Sequence, residues 1–315
     1  MLGSMEDFVA RSDLVRRDVL RTLSQRADRP ALLHLASHIG ALILSGAAIA
    51  ATVGTVWIVP AMAVHGILLV FLFAPHHECI HGTCFRTRWL NDAVAWVATF
   101  LIAYPRVWFR CFHFAHHRHT QDPARDPELV PPRPPTRAAF LWWATGIPYW
   151  RGKLTLIVRT ALTGRVDAPF VPDALKPQVV RECRLVLAAY GAVAVTAALT
   201  DPWLPLLYWI GPALLGQPFL RLYLNGEHGL CAHSDDMLAN ARTTLAGPVI
   251  RWLAWNMPFH TEHHVFPAVP YHALPALHGL MRDRLKVVDP SHAAVNRRIW
   301  TTLGGRREEA GLSHG

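Results

Sequence analysis

The sequence predicts an all-α integral membrane protein, with four transmembrane helices in two hairpins and a cytosolic helical cap that carries clustered histidines. The 315 residues are 52% hydrophobic and only 17% charged, a composition unlike that of soluble domains. Two long stretches are almost free of charge, and arginines lie at their ends. The 19 histidines are concentrated beside these ends. These observations together predict the fold class.

The first hairpin is predicted from a stretch without any charged residue, from residue 31 to residue 77. About 20 apolar residues cross a bilayer core of roughly 30 Å, so this stretch is long enough for two spans. We predict them over about 33–51 and 56–74, with the turn near Gly54. Each span must be helical because lipid offers no hydrogen-bond partner to the backbone.

The second hairpin is predicted between residues 185 and 220, where Asp201 is the single charged residue. Asp201 stands beside Pro202 near the middle of the stretch, which indicates a turn between spans over about 185–200 and 203–222. We therefore divide the chain into a cytosolic amphipathic N-terminal segment, a membrane domain and a cytosolic C-terminal tail. Their predicted ranges are 1–30, 31–285 and 286–315.

Arginine placement predicts the orientation of these spans. Arg86 and Arg88 follow the second span, Arg181 and Arg184 flank the third, and Arg221 ends the fourth, whereas neither hairpin turn contains a basic residue. Positive residues stay on the cytoplasmic side, so both termini should be cytosolic. The net charge of +9 is spread over membrane boundaries and forms no basic block, which argues against nucleic-acid binding. Arginine outnumbers lysine 28 to 3. This bias is typical of a GC-rich bacterial gene, and the predicted location is therefore a bacterial cytoplasmic membrane.

Two further segments are predicted to lie at the membrane surface. The apolar run 93–104 is too short to span and should dip in and return,. The segment 137–162 interleaves aromatic with basic residues, as helices in the headgroup layer do. Five scattered cysteines without a C-x-x-C pair predict neither a disulfide scaffold nor a zinc ribbon,.

Three histidine clusters lie at the cytoplasmic ends of these segments. Their members are His77 and His81; His113, His116 and His117; and His260, His263 and His264. Spacings of three and four residues place these side chains on one helical face. A chain with this many histidines is expected to contain far fewer than one H-x-x-H-H pattern by chance, and this chain contains two.

Eight converging imidazoles exceed the three or four protein ligands of a zinc site and fit two metal ions. Imidazole suits iron, and oxygen chemistry at unactivated C–H bonds requires such a centre. We therefore predict two iron ions as cofactors and O2 as a co-substrate.

The order of the clusters, H-x-x-x-H at 77–81 followed by H-x-x-H-H at 113–117 and again at 260–264, resembles the membrane fatty-acid desaturase and hydroxylase superfamily. The resemblance covers about residues 76–278 and includes the string Asn-Met-Pro-Phe at 256–259. It implies an O2-dependent di-iron oxidoreductase that introduces a double bond into a fatty-acyl or lipid-like chain.

The resemblance also implies residue roles. The eight clustered histidines fall on the metal ligands of the superfamily, and His228 after the last span is expected as a ninth. His76 is an alternative to His77 in the first cluster, and Asn225 is a candidate for positioning a water molecule. Acids expected to accept the second N–H of a metal-bound imidazole are Glu78, Asp122, Asp126, Glu227 and Glu262. No role is predicted for four other histidines, namely His119, His233, His272 and His278.

The sequence contains neither a cytochrome b5 heme motif nor a complete iron–sulfur motif, because Thr87 stands where a third cysteine would be needed,. We therefore expect an external ferredoxin or cytochrome to dock on the arginine-rich cytosolic face. Three alternatives remain open. They are a hydroxylase or ketolase of the same superfamily, a membrane zinc hydrolase, and a metal transporter or non-catalytic metal-binding protein.

Overall fold

The structure is a computed structural model that describes residues 14–312. Residues 1–13 of the predicted N-terminal segment and residues 313–315 of the predicted tail lie outside the described residues. The described chain is mostly helical, as predicted.

The first half of the chain, up to the middle of the second predicted hairpin, contains nine helices among the described residues. They are α1 Arg17–Leu23, α2 Asp28–Thr52, α3 Ile58–Val70, α4 Phe73–His81, α5 Arg88–Ile102, α6 Arg106–His119, α7 Arg137–Ala144, α8 Ile147–Thr163 and α9 Lys176–Leu199. Short 3-10 turns cover Pro127–Leu129 and Asp173–Leu175.

The second half of the described chain contains seven helices and one small sheet. The helices are α10 Trp203–Pro205, α11 Gly211–His228, α12 Met237–Asn240, α13 Pro248–Leu253, α14 His260–Val265, α15 Leu274–Met281 and α16 His292–Leu312. A π-helical turn, Leu206–Ile210, joins α10 to α11, and 3-10 turns cover Tyr271–Ala273 and Arg282–Arg284. The strands β1 Thr243–Thr244 and β2 Val288–Asp289 pair in parallel.

Three helical stretches of the described chain are long and apolar enough to cross a membrane, Asp28–Thr52, Ile58–His81 and Asp173–Leu199. The second joins α3 to α4 through a turn at residues 71–72 and continues beyond the predicted limit of residue 74. Hydropathy alone ends a span at its last apolar residue, whereas this helix continues because its polar end faces protein and is buried. The second span therefore leads directly into the first histidine cluster.

The fourth predicted span, 203–222, is helical from α10 through α11 but is not among these three stretches. Its helix α11 packs closely against α3. A Cβ atom on Gly66 would lie 1.8 Å from the carbonyl oxygen of Pro212, and one on Gly216 would lie 2.1 Å from the carbonyl carbon of Gly66. Glycine lets the two backbones approach in the manner typical of membrane helices.

The two predicted surface segments are also helical, with boundaries that differ from the prediction. The run 93–104 belongs to the longer helix α5, which ends at Ala103 with a φ of +53°. The segment 137–162 is divided into α7 and α8 at Gly146, whose φ is +74°. A Cβ atom at Gly146 would lie 2.2 Å from Cγ of Gln217, so the break lets this loop pack against α11.

Ion pairs connect the helices that carry histidines to the rest of the chain. At the start of α6, Arg106 contacts Asp92 of α5 and donates to Oε1 of Glu182 on α9 over 2.9 Å. Glu182 Oε2 also accepts the backbone N–H of Val107 over 2.9 Å. A buried carboxylate therefore fixes the first turn of α6, and so the direction in which its histidines point.

Candidate metal centre

Five imidazoles from three helices form the first group. Ring nitrogens of these residues all lie within 4.8 Å of one another: His77 and His81 of α4, His113 and His117 of α6, and His263 of α14. Nε2 of His113 is 2.9 Å from Nε2 of both His81 and His117. We call this set the five-histidine group.

Four imidazoles from three helices form the second group. They are His116 of α6, His228 of α11, and His260 and His264 of α14, and their ring nitrogens also lie within 4.8 Å of one another. All four are buried. We call this set the four-histidine group. The structure thus brings together all nine histidines that the sequence analysis proposed as ligands.

Each H-x-x-H-H helix contributes to both groups. On α6, His113 and His117 belong to the five-histidine group and the intervening His116 to the other. Consecutive residues of a helix point in directions about 100° apart, so neighbours such as these face different partners. The groups adjoin, because the rings of His117 and His264 stack with centroids 4.1 Å apart and 14° between their planes.

Hydrogen bonding cannot account for the contacts inside these groups. Nε2 of His228 lies 3.1 Å from Nε2 of His116, 3.2 Å from that of His264 and 2.9 Å from that of His260. A neutral imidazole Nε2 offers either one proton or one lone pair, so it cannot satisfy three such neighbours. Lone pairs that converge on a shared cation explain the arrangement, and the donor set therefore fits a metal ion.

The separations also bear on the kind of metal. Metal–nitrogen bonds of about 2.1 Å put neighbouring ligand atoms about 3.0 Å apart at right angles and about 3.4 Å apart at tetrahedral angles. The Nε2 pairs closest to one another are 2.9 to 3.2 Å apart. These pairs are close enough for both imidazoles of a pair to bind one ion, and five imidazoles in one group exceed the four ligands of tetrahedral zinc,.

Burial keeps most of these imidazoles neutral, as metal ligands must be. Desolvation, reinforced by neighbouring imidazoles, lowers the pKa of His113, His117 and His263 well below the ordinary value. Burial also opposes a charge on His116, but the carboxylates of Glu128 and Asp126 outweigh it and raise the pKa of that imidazole.

Hydrogen bonds to Nδ1 orient three rings of the four-histidine group. His116 Nδ1 lies 3.0 Å from Oδ1 of Asp126, and His228 Nδ1 donates to the carbonyl oxygen of Asn240 over 2.9 Å. His264 Nδ1 lies 3.2 Å from the hydroxyl of Thr120. With Nδ1 held in this way, Nε2 is directed into the group.

Of the five acids proposed from the sequence, Asp126 is the one within hydrogen-bond distance of a clustered histidine, His116. Glu128, which the sequence analysis missed, has Oε2 3.1 Å from the same Nδ1 of His116. Thr120 and Asn240 were also missed as partners of the histidines. Thr120 follows the second histidine cluster closely in the sequence, and this position could have indicated a contact with the histidines. No local pattern indicates Asn240, which contacts them from the end of α12.

The other proposed acids have different surroundings. Glu227 Oε1 and Glu78 Oε1 are 3.8 and 3.9 Å from Nδ1 of His260 and of His77, beyond direct hydrogen-bond reach. Glu78 instead accepts the backbone N–H of Tyr271 over 3.1 Å.

Glu262 accepts from Thr243 over 2.6 Å and lies 2.5 Å from Nδ1 of His278. These contacts fix α14 to β1 and α15 and give His278 a structural partner. Asp122 accepts from Arg125 and from the backbone N–H of Ala124, so its carboxylate is occupied within its own turn.

The remaining candidates lie outside both groups. The ring of His76 stacks on Phe109 with centroids 5.2 Å apart. Asn225 donates its amide to Oδ1 of Asn296 on α16 over 2.7 Å, which directs it toward the C-terminal helix. His119 and His272 are half-buried outside the groups, and His233 Nδ1 lies 3.1 Å from the carbonyl oxygen of Gln121.

A family model described as fatty acid desaturase matches residues 56–295. The chain belongs to the fatty acid desaturase family. This confirms the resemblance drawn from the histidine clusters, and the match spans all nine residues of the two groups.

Individual relatives of this chain are distant. It is 26% identical over 234 residues to the sphingolipid delta(4)-desaturase/C4-monooxygenase of Mus musculus, covering 71% of this chain and 65% of that protein. It is 24% identical over 242 residues to the sn-1 oleoyl-lipid 12-desaturase of Synechocystis, covering 69% and 66%. A fatty acid conjugase of Calendula officinalis is 24% identical over 247 residues, covering 68% and 65%. The chain thus spans just under two thirds of the length of these relatives.

Proposed function

We propose that this desaturase-family protein holds two iron ions and uses O2 to introduce a double bond into a fatty-acyl or lipid-like chain at the membrane. The observation that carries the proposal is the division of nine buried imidazoles into adjacent groups of five and four. Iron in both groups would supply the oxygen activation that removal of hydrogen from an unactivated carbon requires.

The protein's own residues have three tasks in this proposal. The nine histidines hold the metal ions, and Asp126, Asn240 and Thr120 orient three of those imidazoles. Burial of the surrounding helices excludes water, which limits side reactions during oxidation. The ends of α4, α6 and α14 meet at the groups, so a chain that enters between the helices is presented to them.

We propose four spans, with α10 and α11 forming the fourth, and a cytosolic cap built around α6 and α14. His81 ends α4 and His228 ends α11, and both belong to the adjoining groups. Those two helices must therefore end on the same side of the membrane. Arginine placement assigns that side to the cytosol, which also places both termini there. The arginine-rich composition supports a bacterial cytoplasmic membrane.

An external ferredoxin or cytochrome is the proposed electron donor. A surface pocket of about 250 Å³ lies beside His117 of the five-histidine group. Its lining includes Arg118 and Arg125 together with Asp122 and Asp235, and Arg125 pairs with Asp122. The support for an acidic partner is therefore the excess of arginine at the cytosolic ends of the helices, because opposite charges steer such encounters.

A hydroxylase or ketolase is the second candidate function. The name of the mouse relative joins a desaturase to a monooxygenase, so this family resemblance supports both reactions. Product analysis distinguishes them, because a hydroxylated product retains oxygen from O2 and a desaturated product does not.

Purified protein is expected to contain about two irons per chain, and His117→Ala or His263→Ala should abolish O2-dependent product formation. His272→Ala is the matched control, because His272 belongs to neither group, and it should retain iron and activity. Mass spectrometry of lipids and metabolites from a host that expresses each variant identifies the product. One zinc per chain with turnover in anoxic buffer would support the zinc hydrolase instead, and full activity of both alanine variants would refute the ligand assignment.

A further inference from the structure

Two cations from α8 and α11 approach the same aromatic ring. Lys153 Nζ lies 3.3 Å from the ring centroid of Tyr104 and 5.5 Å from that of Tyr149. Arg221 Cζ lies 4.4 Å from the same Tyr149 centroid. We call Lys153, Arg221, Tyr104 and Tyr149 the cationic cluster. The sequence analysis used Arg221 as a marker of the membrane boundary, but its Nε is buried and has no hydrogen-bond partner among the described residues.

Two acidic side chains lie near the cationic cluster without pairing with it. Glu128 and Glu227 are close enough to Arg221 to interact electrostatically. Glu128 lies 3.1 Å from Nδ1 of His116, whereas Glu227 is beyond hydrogen-bond reach of His260, at 3.8 Å from its Nδ1. Neither carboxylate forms an ion pair with a cation of the cluster within the described chain.

Like charges in a protein interior repel more strongly than in water, and a buried charge normally has a counter-ion. Elsewhere in this chain buried arginine follows that rule, since Arg242 pairs with Asp289 over 2.7 Å. Burial and the charge of Arg221 lower the pKa of Lys153, which reflects the cost of two cations in this interior. An anion placed here would offset the repulsion.

Unpaired hydrogen-bond donors lie beside the cationic cluster. Three donors, the indole nitrogens of Trp108 and Trp150 and Nε2 of Gln217, and one acceptor, Oε1 of Gln217, are buried without a partner among the described residues. Lys153 Nζ is 4.6 Å from the ring of Trp108, and Gln217 precedes Arg221 by one turn of α11. Unpaired buried donors are costly, so this excess indicates a ligand rich in acceptor atoms.

The cluster is separated from the five-histidine group by one aromatic layer. The ring of Tyr104 stacks on Phe109 with centroids 4.1 Å apart, and Phe109 lies 5.5 Å from the ring of His113. Lys153 does not simply extend toward the membrane surface, because its ammonium contacts Tyr104, which is only 5% exposed. A ligand bound by this ammonium therefore lies close to the candidate metal centre.

We propose that the cationic cluster binds the anionic end, a carboxylate or a phosphate, of an amphipathic substrate whose chain extends toward the histidine groups. This inference rests on the proposed function and specifies its substrate class. Lys153 and Arg221 supply the charge, while the indole and amide donors complete the hydrogen bonds to the anion.

Binding can be measured without any oxidation. Metal-free protein in phosphatidylcholine nanodiscs is equilibrated with radiolabelled dodecanoate, dodecyl phosphate or dodecanol, and binding to empty nanodiscs is subtracted. The anionic probe that matches the headgroup should bind at least tenfold more tightly than dodecanol, because only the anions can pair with Lys153 and Arg221. The tighter of the two anions identifies the headgroup.

Lys153→Met and Arg221→Met should each weaken binding of the anionic probes roughly tenfold and leave dodecanol binding unchanged. Lys153→Arg should retain most of the affinity. Arg151→Met is the matched control, because Arg151 is exposed on the same helix, and it should bind like the native protein. Thermal unfolding of each variant in detergent verifies that the fold is retained.

Binding of dodecanoate and of dodecyl phosphate no tighter than that of dodecanol, or native affinity in both methionine variants, would overturn the inference. Failure of the proposed function gives a different result. In that case the charge dependence of binding persists in the metal-free protein, while iron-loaded protein produces no oxidised product.

Discussion

Asp126 offers a direct test of the four-histidine group. Its carboxylate accepts three hydrogen bonds, from Nδ1 of His116 over 3.0 Å and from the backbone N–H groups of Gln121 and Glu128 over 2.8 and 2.9 Å. The side chain is fully buried. In Asp126→Asn one carboxylate oxygen becomes an NH2 group, so at least one of these donors loses its acceptor.

Two effects should follow from this substitution. A buried donor without an acceptor costs about 1–3 kcal/mol of stability. Loss of a hydrogen bond that orients a metal-bound imidazole lowers metal affinity about 10- to 100-fold. Of the two histidine groups, the four-histidine group contains His116, so one of the two irons should become weakly bound while the other keeps its native affinity.

Iron retention is measured by dialysis against a series of chelator concentrations, followed by metal analysis. Asp122→Asn is the matched control, because Asp122 lies in the same loop and pairs with Arg125 rather than with a histidine. It should release iron like the native protein. Native retention of both irons in Asp126→Asn, or equal weakening of both, would refute the assignment of Asp126 to one group.

Three other predictions concern packing, anchoring and metal removal. Gly66→Ala should destabilise the protein by about 1–3 kcal/mol, because its Cβ would lie 1.8 Å from the oxygen of Pro212. Thermal unfolding in detergent tests this, with Gly40→Ala as a neutral control because no atom lies within 4 Å of that Cβ; an unchanged midpoint for Gly66→Ala would contradict the close contact of α3 and α11. Arg106→Met should lower the free energy of unfolding by about 3 kcal/mol, because the buried Glu182 loses its ion-pair partner. This value is at the lower end of the range for breaking a buried pair, since Arg106 itself is one quarter exposed. The same unfolding assay checks it, and a loss below 1 kcal/mol would show that the pair is dispensable. Native protein under rising chelator should lose iron in two stages, since four imidazoles bind less tightly than five, and its unfolding midpoint should fall at each stage; a single stage would mean that the two groups are equivalent.

Local spacing was sufficient to predict which of the clustered histidines lie close together but insufficient to predict what surrounds them. His113, His116 and His117 could be placed on one helix because three- and four-residue spacing is a property of the helix itself. Asn240 and Glu128 could not be predicted as partners, because their contacts depend on how distant segments pack. Position in the sequence likewise marked Arg221 as a membrane boundary, whereas packing places it beside Tyr149.

Span boundaries show the same division between local and tertiary information. Hydropathy ended the second span at residue 74, but the helix continues to His81 because the surrounding protein buries its polar end. The break at Gly146 between α7 and α8 was not predicted either. Position 146 requires glycine because any Cβ atom there would collide with Gln217, a residue 71 positions away in the sequence.

The histidine patterns themselves explain why a ninth histidine is needed. The first cluster has the pattern H-x-x-x-H, a pair four residues apart, and this pair serves the five-histidine group alone. Each H-x-x-H-H pattern contributes a pair to one group and its single histidine to the other, and the pairs of α6 and α14 serve opposite groups. The three clusters therefore supply five imidazoles to one group and only three to the other. His228 of α11 supplies the fourth, so the helix that carries the proposed substrate-binding Arg221 also completes the second half of the candidate metal centre.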